Sequence, residues 1–439
     1  MKFLRYILPA ALAAMACACE SYEIDMPAEP EAPVTGPEVP SQVIYQANPR
    51  FFGSEECLKG VTAQIPRIAS MGCDVLWVMP VCAPGQDDRS IGSPYCIRDF
   101  TALNSRYGTM ADFDDMVRAA HEAGMKVILD WIANHTSWDH AWISEHPEYY
   151  VRDAAGNIQQ ASSWTDVAQL DYSNPALHTA MTDAMNFWLR AGVDGFRCDY
   201  AEGVAHEFWQ SFISQARESN PDIIMIAESA DASFYADGFD MIYDWSFGSA
   251  LSDAFTGGKA SDLFTKEASS WSKVPEGSSI LRYALNHDVA AENSPSALYG
   301  SADAVAAAYV MAAMVNGTPM MYSSMDSGPA RLSFFDYNPL TWSEELTAEY
   351  KAINEAFKAS AEVRRGRLQT YADKDVAVFT RAIAGHRLLV MVNTTGGERT
   401  VKCPISLAGA SMTDLIGGTA TTVPVEMNIR PYGYVLLMD

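Results

Sequence analysis

Eight short apolar runs, separated by longer amphipathic segments, constrain the fold of this 439-residue chain. Apolar runs of this length predict buried strands, and the segments between them have the apolar spacing of helices. Strands that alternate with helices form parallel sheets with crossover helices, so eight such units predict a closed (β/α)8 TIM barrel. An open doubly wound sheet is the alternative, but no GxGxxG follows the first run, which weakens its dinucleotide-binding version. The runs are VIYQ (43–46), CDVLWVMP (73–80), MKVILDWI (125–132), VDGFRCD (193–199), DIIMIAES (222–229), FDMIYDW (239–245), ILRYALNHD (280–288) and TPMMYSS (318–324).

Two regions depart from this alternation. Residues 135–172, after the third strand, are rich in aromatic residues and predict a small inserted subdomain over the C-terminal mouth of the barrel. From residue 366 onward, alternating apolar and polar residues with short turns predict a C-terminal antiparallel β-sandwich domain over residues 366–439. The barrel, with its insert, is then expected to span residues 43–365.

The N-terminal region has the composition of a processing segment followed by a tether. A basic start precedes an apolar run that is too short to span a bilayer, and small residues then lead to two cysteines. Residues 1–19 resemble a bacterial lipoprotein signal peptide, with lipidation expected at Cys19 or Cys17, and a plain secretory signal is the alternative. Residues 20–42, rich in proline and acidic residues, predict an extended tether. Export is therefore expected, with a lipid anchor in a bacterial membrane; the acidic start favours the outer membrane and the cell surface.

Composition narrows the classes of partner. Hydrophobic residues make up 49% of the chain, enough for a large core. The net charge of −25 argues against nucleic acid as a partner and fits an enzyme with a neutral substrate. The cysteines beyond the signal fit no zinc motif. Cys82 and Cys96 flank one loop, and both a disulfide between them and free buried thiols are compatible with the sequence.

Polar and charged side chains end four of the predicted strands. Buried charges are costly unless they are paired, so these residues are expected to contact one another. The C-terminal ends of barrel strands meet at one rim, where catalytic residues of such barrels lie. The strand-end residues are Asp130, Asn134 and His135 in the third unit, Arg197 and Asp199 in the fourth, Glu228 in the fifth, and Asn286, His287 and Asp288 in the seventh.

Four short motifs containing these residues resemble those of the α-amylase family of retaining glycoside hydrolases. The resemblance covers residues 43 to about 365 and implies a TIM barrel that cleaves glycosidic bonds. The motifs are DWIANH (130–135), GFRCD (195–199), AES (227–229) and NHD (286–288), supported by SPYCIRDFTALNSRYGT (93–109) and GTPMMY (317–322).

The resemblance assigns three catalytic carboxyl groups. Retaining hydrolysis needs two carboxyl groups about 5–5.5 Å apart, one as nucleophile and one as general acid/base. Asp199 is expected to be the nucleophile, Glu228 the acid/base, and Asp288 the carboxylate that holds sugar hydroxyls. Arg197, on the same strand face, is expected to lower the pKa of Asp199, and apolar surroundings to raise the pKa of Glu228.

The residues expected to bind the substrate lie around these carboxyl groups. By resemblance, His135 and His287 hydrogen-bond the sugar ring and Tyr95 stacks beneath it, while Asp130 supports the site; Arg197 is included with the binding residues. The aromatic residues of the insert either stack on sugars or form its core, and most are expected to be core: Trp138, Trp142, Tyr149, Tyr150 and Trp164.

The sequence departs from the family at two places. Glu202 and Gly203 stand where many relatives have a Lys-His pair that contacts the sugar beyond the cleavage site, which leaves the substrate preference open. The family's usual calcium site uses the motif asparagine, here Asn134, and an aspartate of the long loop, where this chain has Gln169. A hard cation needs several oxygen ligands, so Asn134 alone does not make a site. No cofactor is expected to be required for the chemistry, and structural Ca²⁺ is a weaker expectation.

Three functions are compatible with these residues. The leading hypothesis is hydrolysis of α-1,4-glucosidic bonds in starch-like α-glucans by double displacement. The alternative within the same chemistry is a hydrolase or transglycosylase acting on maltodextrins, cyclodextrins or pullulan. A glucan-binding lipoprotein without catalysis is a third hypothesis, and the intact set of three carboxylates argues against it.

Overall fold

The computed structural model describes residues 41–328 and 330–439 of the chain. Both predicted lipidation sites, Cys17 and Cys19, lie outside these residues, as do the signal peptide and most of the predicted tether. Up to residue 364 the elements are β1 (Ile44–Ala47), α1 (Cys57–Ser70), β2 (Val75–Val78), β3 (Cys82–Pro84), β4 (Ile97–Leu103), α2 (Met110–Glu122), β5 (Lys126–Trp131), β6 (His135–Ser137), α3 (Trp142–Glu145), β7 (Gln160–Ala161), β8 (Trp164–Gln169), α4 (Pro175–Arg190), β9 (Gly195–Cys198), α5 (His206–Ser219), β10 (Ile224–Ala227), β11 (Met241–Tyr243), α6 (Trp245–Phe255), α7 (Asp262–Trp271), β12 (Ser279–Tyr283), α8 (His287–Glu292), α9 (Pro295–Tyr299), α10 (Ala304–Met314), β13 (Thr318–Tyr322), α11 (Glu344–Ala359) and α12 (Ala361–Arg364).

Eight of these strands close into a parallel barrel, in the order β1-β13-β12-β11-β10-β9-β5-β2. Each barrel strand overlaps one of the eight apolar runs, so the predicted TIM barrel is confirmed. The strands are apolar on both faces because one face fills the barrel interior and the other packs on the surrounding helices. In β2, for example, Val75 and Trp77 belong to the interior cluster, whereas Leu76 and Val78 belong to the larger core that includes the helices.

The same alternation directs the charge of β9 inward. Phe196 and Cys198 pack outward in the larger core. Side chains alternate between the two faces of a strand, so Arg197 points into the barrel. There its guanidinium carbon lies 5.2 Å from the ring centre of Trp77 and 5.6 Å from that of Tyr243, two side chains of the interior cluster.

The insert after β5 forms a small antiparallel sheet in the order β6-β8-β7. His135 of β6 lies opposite Gln169 of β8. The end of the motif DWIANH (130–135) is therefore paired with the far end of the insert. Tyr149 and Tyr150 of the insert are buried. Cys82 and Cys96 are free, buried thiols, in agreement with the second of the two alternatives for this pair.

The C-terminal region is antiparallel, as the sequence predicts. Its six-stranded sheet has one face against the barrel, through Phe379 and Val390, and the other face against a second core that contains Val378 and Leu389. A two-stranded sheet of β17 (Arg399–Lys402) and β20 (Glu426–Ile429) covers that second core. The strands are β14 (Arg367–Tyr371), β15 (Val376–Ile383), β16 (His386–Asn393), β17 (Arg399–Lys402), β18 (Ser411–Asp414), β19 (Ala420–Thr422), β20 (Glu426–Ile429) and β21 (Tyr434–Met438).

Helix α10 is buried on all sides, unlike the amphipathic helices of the barrel. It lies between the barrel strands β12 and β13 and the C-terminal strand β16, which explains why its sequence is apolar throughout. Within the two described ranges, no helix combines the length and apolarity needed to cross a membrane.

Substitution of Gly195 by alanine is expected to disrupt the barrel beside Arg197. Gly195 has φ of +152°, and an added Cβ would lie 1.9 Å from the carbonyl oxygen of its β10 partner Ile224. Backbone strain and overpacking together predict a loss of about 3 kcal/mol in the free energy of unfolding, measured by chemical denaturation. The matched control is Gly248→Ala in α6, where the space is open and helix propensity predicts unchanged or slightly higher stability. Equal stability of both variants would contradict this account of β9.

Candidate active site

The predicted site residues converge on one cleft at the C-terminal rim of the barrel. Asn134 and Arg197 lie behind the cleft wall and are fully buried. Among the residues that line the cleft are six of the predicted ones: Tyr95, His135, Asp199, Glu228, His287 and Asp288.

Arg197 joins the carboxyl groups of three strands. Its Nη1 donates hydrogen bonds to Asp130 at 2.7 Å and to Asp199 at 3.0 Å. Its Nη2 forms an ion pair with Glu228 at 2.6 Å, and its Nε donates to the hydroxyl of Tyr243 at 3.2 Å. The charge of the arginine is therefore satisfied inside the barrel, and the two carboxyl groups with predicted catalytic roles are held on one guanidinium.

The two carboxyl groups with predicted catalytic roles, Asp199 and Glu228, have raised pKa values. Burial raises the pKa of Asp199 well above its usual range and the charge of Glu228 raises it further, while Arg197 acts in the opposite direction. Burial also raises the pKa of Glu228 against the lowering effect of Arg197. One guanidinium is shared by these two carboxyl groups and Asp130, so its lowering effect does not outweigh burial for either of them.

The expected effects on the two carboxyl groups have different outcomes. The predicted rise in the pKa of Glu228 is confirmed. The predicted lowering of the pKa of Asp199 is wrong as a net direction, because burial and the neighbouring Glu228 outweigh Arg197. Arg197 does lower it, as expected, but this contribution is the smaller one.

A chain of hydrogen bonds fixes His287 beside this pair. Tyr95 places its hydroxyl 2.9 Å from the Asp130 carboxylate and 2.7 Å from His287 Nε2. A carboxylate can only accept, so Tyr95 donates to Asp130 and His287 Nε2–H donates to Tyr95. The other ring nitrogen, Nδ1, accepts from the side-chain amide of Gln46 at 2.8 Å. Burial, then the charge of Arg197, lowers the pKa of His287 to about 3, so the ring is neutral.

Tyr95 and Asp288 complete this side of the cleft. The Tyr95 ring stacks on the His287 ring, with centroids 5.4 Å apart. Asp288 lies in the first turn of α8, which Asn286 caps by accepting a hydrogen bond from the Val289 amide. The Asp288 carboxylate is half exposed, so its oxygens are accessible to a bound molecule. Burial raises its pKa.

His135 is held from behind by Asn134. The Asn134 amide nitrogen lies 3.1 Å from His135 Nδ1, and burial lowers the pKa of His135 to about 4. The side-chain oxygen of Asn134 is occupied as well, because it accepts from Gln169 at 2.8 Å. The oxygen that a calcium ion would need from Asn134 is thus already bonded to a donor. In the parts of the chain that the structure describes, no group of three His, Cys, Asp or Glu side chains could hold a metal.

Several lining residues were not identified from the sequence. Tyr200 has a left-handed backbone, and its amide donates to Glu228 Oε2 at 2.7 Å. Trp245, Phe334 and Phe335 also line the cleft, all on segments that follow barrel strands. The signal that could have found Gln46 is its position, because it is the one polar side chain in the run VIYQ and falls on the inward face.

The insert contributes one aromatic residue to the cleft. Trp164 is 39% exposed, and its ring meets that of Tyr200 edge-on at 5.2 Å. Tyr149 and Tyr150 are buried, and Trp142 packs against Tyr149, in keeping with the expectation that most of these residues form the core of the insert.

Glu202 adds a further carboxylate to the lining of the cleft, next to Glu228. Its carboxylate accepts a hydrogen bond at 2.6 Å from the hydroxyl of Ser229, the residue that follows Glu228. Glu202 is exposed to the cleft, so its second oxygen is available to a bound molecule.

Comparison with known proteins identifies the family of the chain. Residues 46–382 match the family described as "Alpha amylase, catalytic domain". The chain belongs to the α-amylase family of glycoside hydrolases. The matched region contains all four motifs and every predicted catalytic residue.

Individual members of the α-amylase family are moderately similar. The chain is 26% identical over 398 residues to the α-amylase MalA of Haloarcula japonica, covering 86% of this chain and 58% of that protein. It is 24% identical over 447 aligned positions to neopullulanase 2 of Thermoactinomyces vulgaris, covering 93% of this chain and 75% of the relative. The crystal structure of an α-amylase from Lactobacillus plantarum superposes with a TM-score of 0.80 at 27% identity, over 91% of this chain and 99% of that one.

Replacing Asp199 by asparagine is expected to stabilise the protein at alkaline pH. A carboxyl group whose pKa is raised by folding contributes stability below its unfolded pKa of about 3.9, and this stability is lost as pH rises toward the folded pKa. Asp199→Asn removes that loss, so its melting temperature should exceed that of the wild type by about 2 °C at pH 8 and match it near pH 4. Asp253→Asn, an exposed position outside the cleft, is the control and should show no pH-dependent difference. A less stable Asp199→Asn at pH 8 would contradict the raised pKa.

Proposed function

We propose that this member of the α-amylase family hydrolyses α-1,4-glucosidic bonds in starch-like α-glucans by retaining double displacement. The observation that carries the proposal is the single buried guanidinium of Arg197, which holds Asp199 and Glu228 together at the floor of the cleft. Two carboxyl groups paired with one guanidinium can supply the nucleophile and the acid/base that a retaining mechanism requires.

In the first step, the Asp199 carboxylate attacks the anomeric carbon of the sugar. The bond from that carbon to the glycosidic oxygen breaks, and Glu228 transfers its proton to the leaving oxygen. The reacting form therefore has a proton on Glu228, with Asp199 ionised against Arg197 Nη1. The product of this step is a glycosyl ester on Asp199 and a free sugar with a new hydroxyl group.

In the second step, water replaces the enzyme at the same carbon. Glu228, now a carboxylate, removes a proton from the water as its oxygen attacks, and Asp199 leaves as a carboxylate. Two inversions retain the anomeric configuration. The backbone amide of Tyr200 holds Glu228 Oε2 and Arg197 Nη2 pairs with Oε1, so both oxygens of this carboxyl group are fixed in place.

The positions of the remaining polar groups support binding of one sugar ring above the carboxylates. Tyr95 and the neutral His287 form one wall, and Asp288 offers carboxylate oxygens beside them. Developing positive charge on the ring is stabilised by the acidic side chains, and the neutral rings of His135 and His287 add no opposing charge beside it.

The α-glucan specificity is supported by the names of the relatives, an α-amylase and a neopullulanase. A second candidate is action on maltodextrins, cyclodextrins or pullulan, by hydrolysis or transglycosylation. Glu202 favours it, because a carboxylate fixed by Ser229 replaces the basic pair found in many family members. Glu202 lies next to the acid/base, where the leaving sugar is bound, so it bears on which glucan is accepted.

Glu228→Gln is expected to reduce the turnover of maltooligosaccharides by about 10²–10⁴-fold, because the proton donor is lost. An aryl maltoside with a good leaving group needs no proton in the first step, so this variant should give a burst of phenol followed by slow release of sugar. Glu207→Gln, an exposed position on α5, is the matched control and should retain wild-type rates. Glucan binding without turnover by the wild type would instead indicate a binding protein, and an inverted first product would contradict the mechanism.

Glu202→Ala is expected to lower kcat/KM for maltooligosaccharides by about tenfold, because a charged hydrogen-bond acceptor for the leaving sugar is lost. An aryl maltoside has no sugar on that side, so its kcat/KM should change by less than about twofold. Product sizing on amylose, pullulan and cyclodextrin would then show which glucan depends on the residue. Equal losses on both kinds of substrate would contradict its place on the leaving-group side.

A further inference from the structure

The side-chain amide nitrogen of Gln169 is surrounded by three oxygen atoms. It donates to Asn134 Oδ1 at 2.8 Å, to the Asn134 carbonyl at 3.1 Å and to the Leu170 carbonyl at 3.2 Å. Side-chain and backbone oxygens that converge on one point are the ligand type that a hard cation such as Ca²⁺ selects. Here an uncharged NH₂ group of the chain itself occupies that point.

A bound calcium ion does not fit this arrangement. The three oxygens are all neutral, and Gln169 stands where a charged aspartate ligand is common in the family. A cation would have to displace the amide of the half-buried Gln169 and leave its two N–H donors without these partners, which costs free energy. No step of the proposed mechanism uses a metal ion at this position.

The orientation of the Gln169 amide follows from its partners. Two of them are backbone carbonyls, which can only accept, so the nitrogen of Gln169 must face them. Asn134 must then turn its oxygen toward Gln169 and its nitrogen toward His135 Nδ1. Because Nδ1 accepts from this amide and carries no proton, the ring proton of His135 lies on Nε2.

The contact also joins three segments of the rim. Gln169 ends the insert strand β8, Asn134 follows the barrel strand β5, and the turn after Asp199 touches Asn134 from the other side. A Cβ added to Gly203 in that turn would lie 2.1 Å from Asn134 Oδ1, so the backbone approaches closely enough to exclude any larger side chain. A structural cation in this place would hold together the same three segments.

We propose that the side-chain amide of Gln169 takes the place of a structural divalent cation, and that Gln169 is a positioning residue that sets the ring proton of His135. The rim of this chain is therefore stabilised by a neutral hydrogen-bonded group and is independent of calcium. The proposal does not depend on the substrate, because its primary readouts are stability, calcium binding and the protonation of one histidine.

The first test compares melting temperatures in EDTA and in about 10 mM CaCl₂. This concentration exceeds the dissociation constants of even the weakest extracellular calcium sites, about 1 mM. The wild type should differ by less than about 1 °C between the two, because a ligand that does not bind the native state cannot raise its stability. Gln169→Met, similar in length but without donors, should melt about 3 °C lower or more in both buffers. Calcium-dependent stability of the wild type, or an unchanged melting temperature in Gln169→Met, would overturn the proposal.

The second test adds a negative charge next to the three neutral oxygens that surround the Gln169 amide. Gln169→Asp is expected to be less stable than the wild type in EDTA, to bind one Ca²⁺ by calorimetry, and to regain stability in CaCl₂; Gln169→Asn, of the same size but neutral, is the control and should not respond to calcium. Failure of Gln169→Asp to bind Ca²⁺ would show that the three oxygens around Gln169 cannot form a cation site. It would overturn the proposal that the Gln169 amide takes the place of a cation. These results stand whether or not the chain hydrolyses glucans.

The third test reads the histidine directly. In protein labelled with ¹⁵N-histidine, His135, assigned by the loss of its signals in His135→Gln, should show the Nε2–H tautomer in the wild type. Gln169→Met should show a mixture of tautomers, whereas Gln169→Asp with calcium should restore the wild-type signal. An unchanged His135 signal in Gln169→Met would show that Gln169 does not determine the tautomer of His135. It would overturn the proposed positioning role.

Discussion

The guanidinium of Arg197, buried inside the barrel, is the interaction on which the site depends. A buried charge must be paired, and this one is paired with carboxyl groups from three adjacent strands. The parallel register places Asp130 and Ile226 directly beside Arg197, so the strand order of the barrel determines which acids can reach it. Fold and chemistry are therefore linked, because the pairing that makes burial of the arginine tolerable also brings the two reacting carboxyl groups together.

Around this centre, the positions of protons are fixed by polar contacts rather than by net charge. His287 and His135 are both neutral, and each accepts at Nδ1 from a side-chain amide, Gln46 in one case and Asn134 in the other. Both rings therefore carry their proton on Nε2. Two histidines from distant parts of the chain thus have the same protonation state because each accepts a hydrogen bond from a side-chain amide. Arg197 is then the source of positive charge beside the carboxylates.

The sequence was sufficient for the barrel and for the convergence of the strand-end residues. Parallel strands in a barrel place their carboxyl ends at one rim, so an arginine and several acids at those ends were expected to meet there. The net pKa of Asp199 could not be derived in this way, because it depends on how many carboxyl groups share one guanidinium in three dimensions. Tyr200 and Phe334 were missed for another reason: they lie on segments without apolar periodicity, where nothing in the sequence shows which way a side chain points.

Helix α10 limits how the C-terminal sheet can be treated in engineering and in evolution. The helix is apolar on every side and is covered on one of them by β16, so removal of the sheet would expose a continuous apolar surface to water. The C-terminal region is in this sense part of the wall of the barrel and not a detachable module. Gene fusions and truncations that preserve the barrel must keep this sheet, and new modules can be added only beyond it.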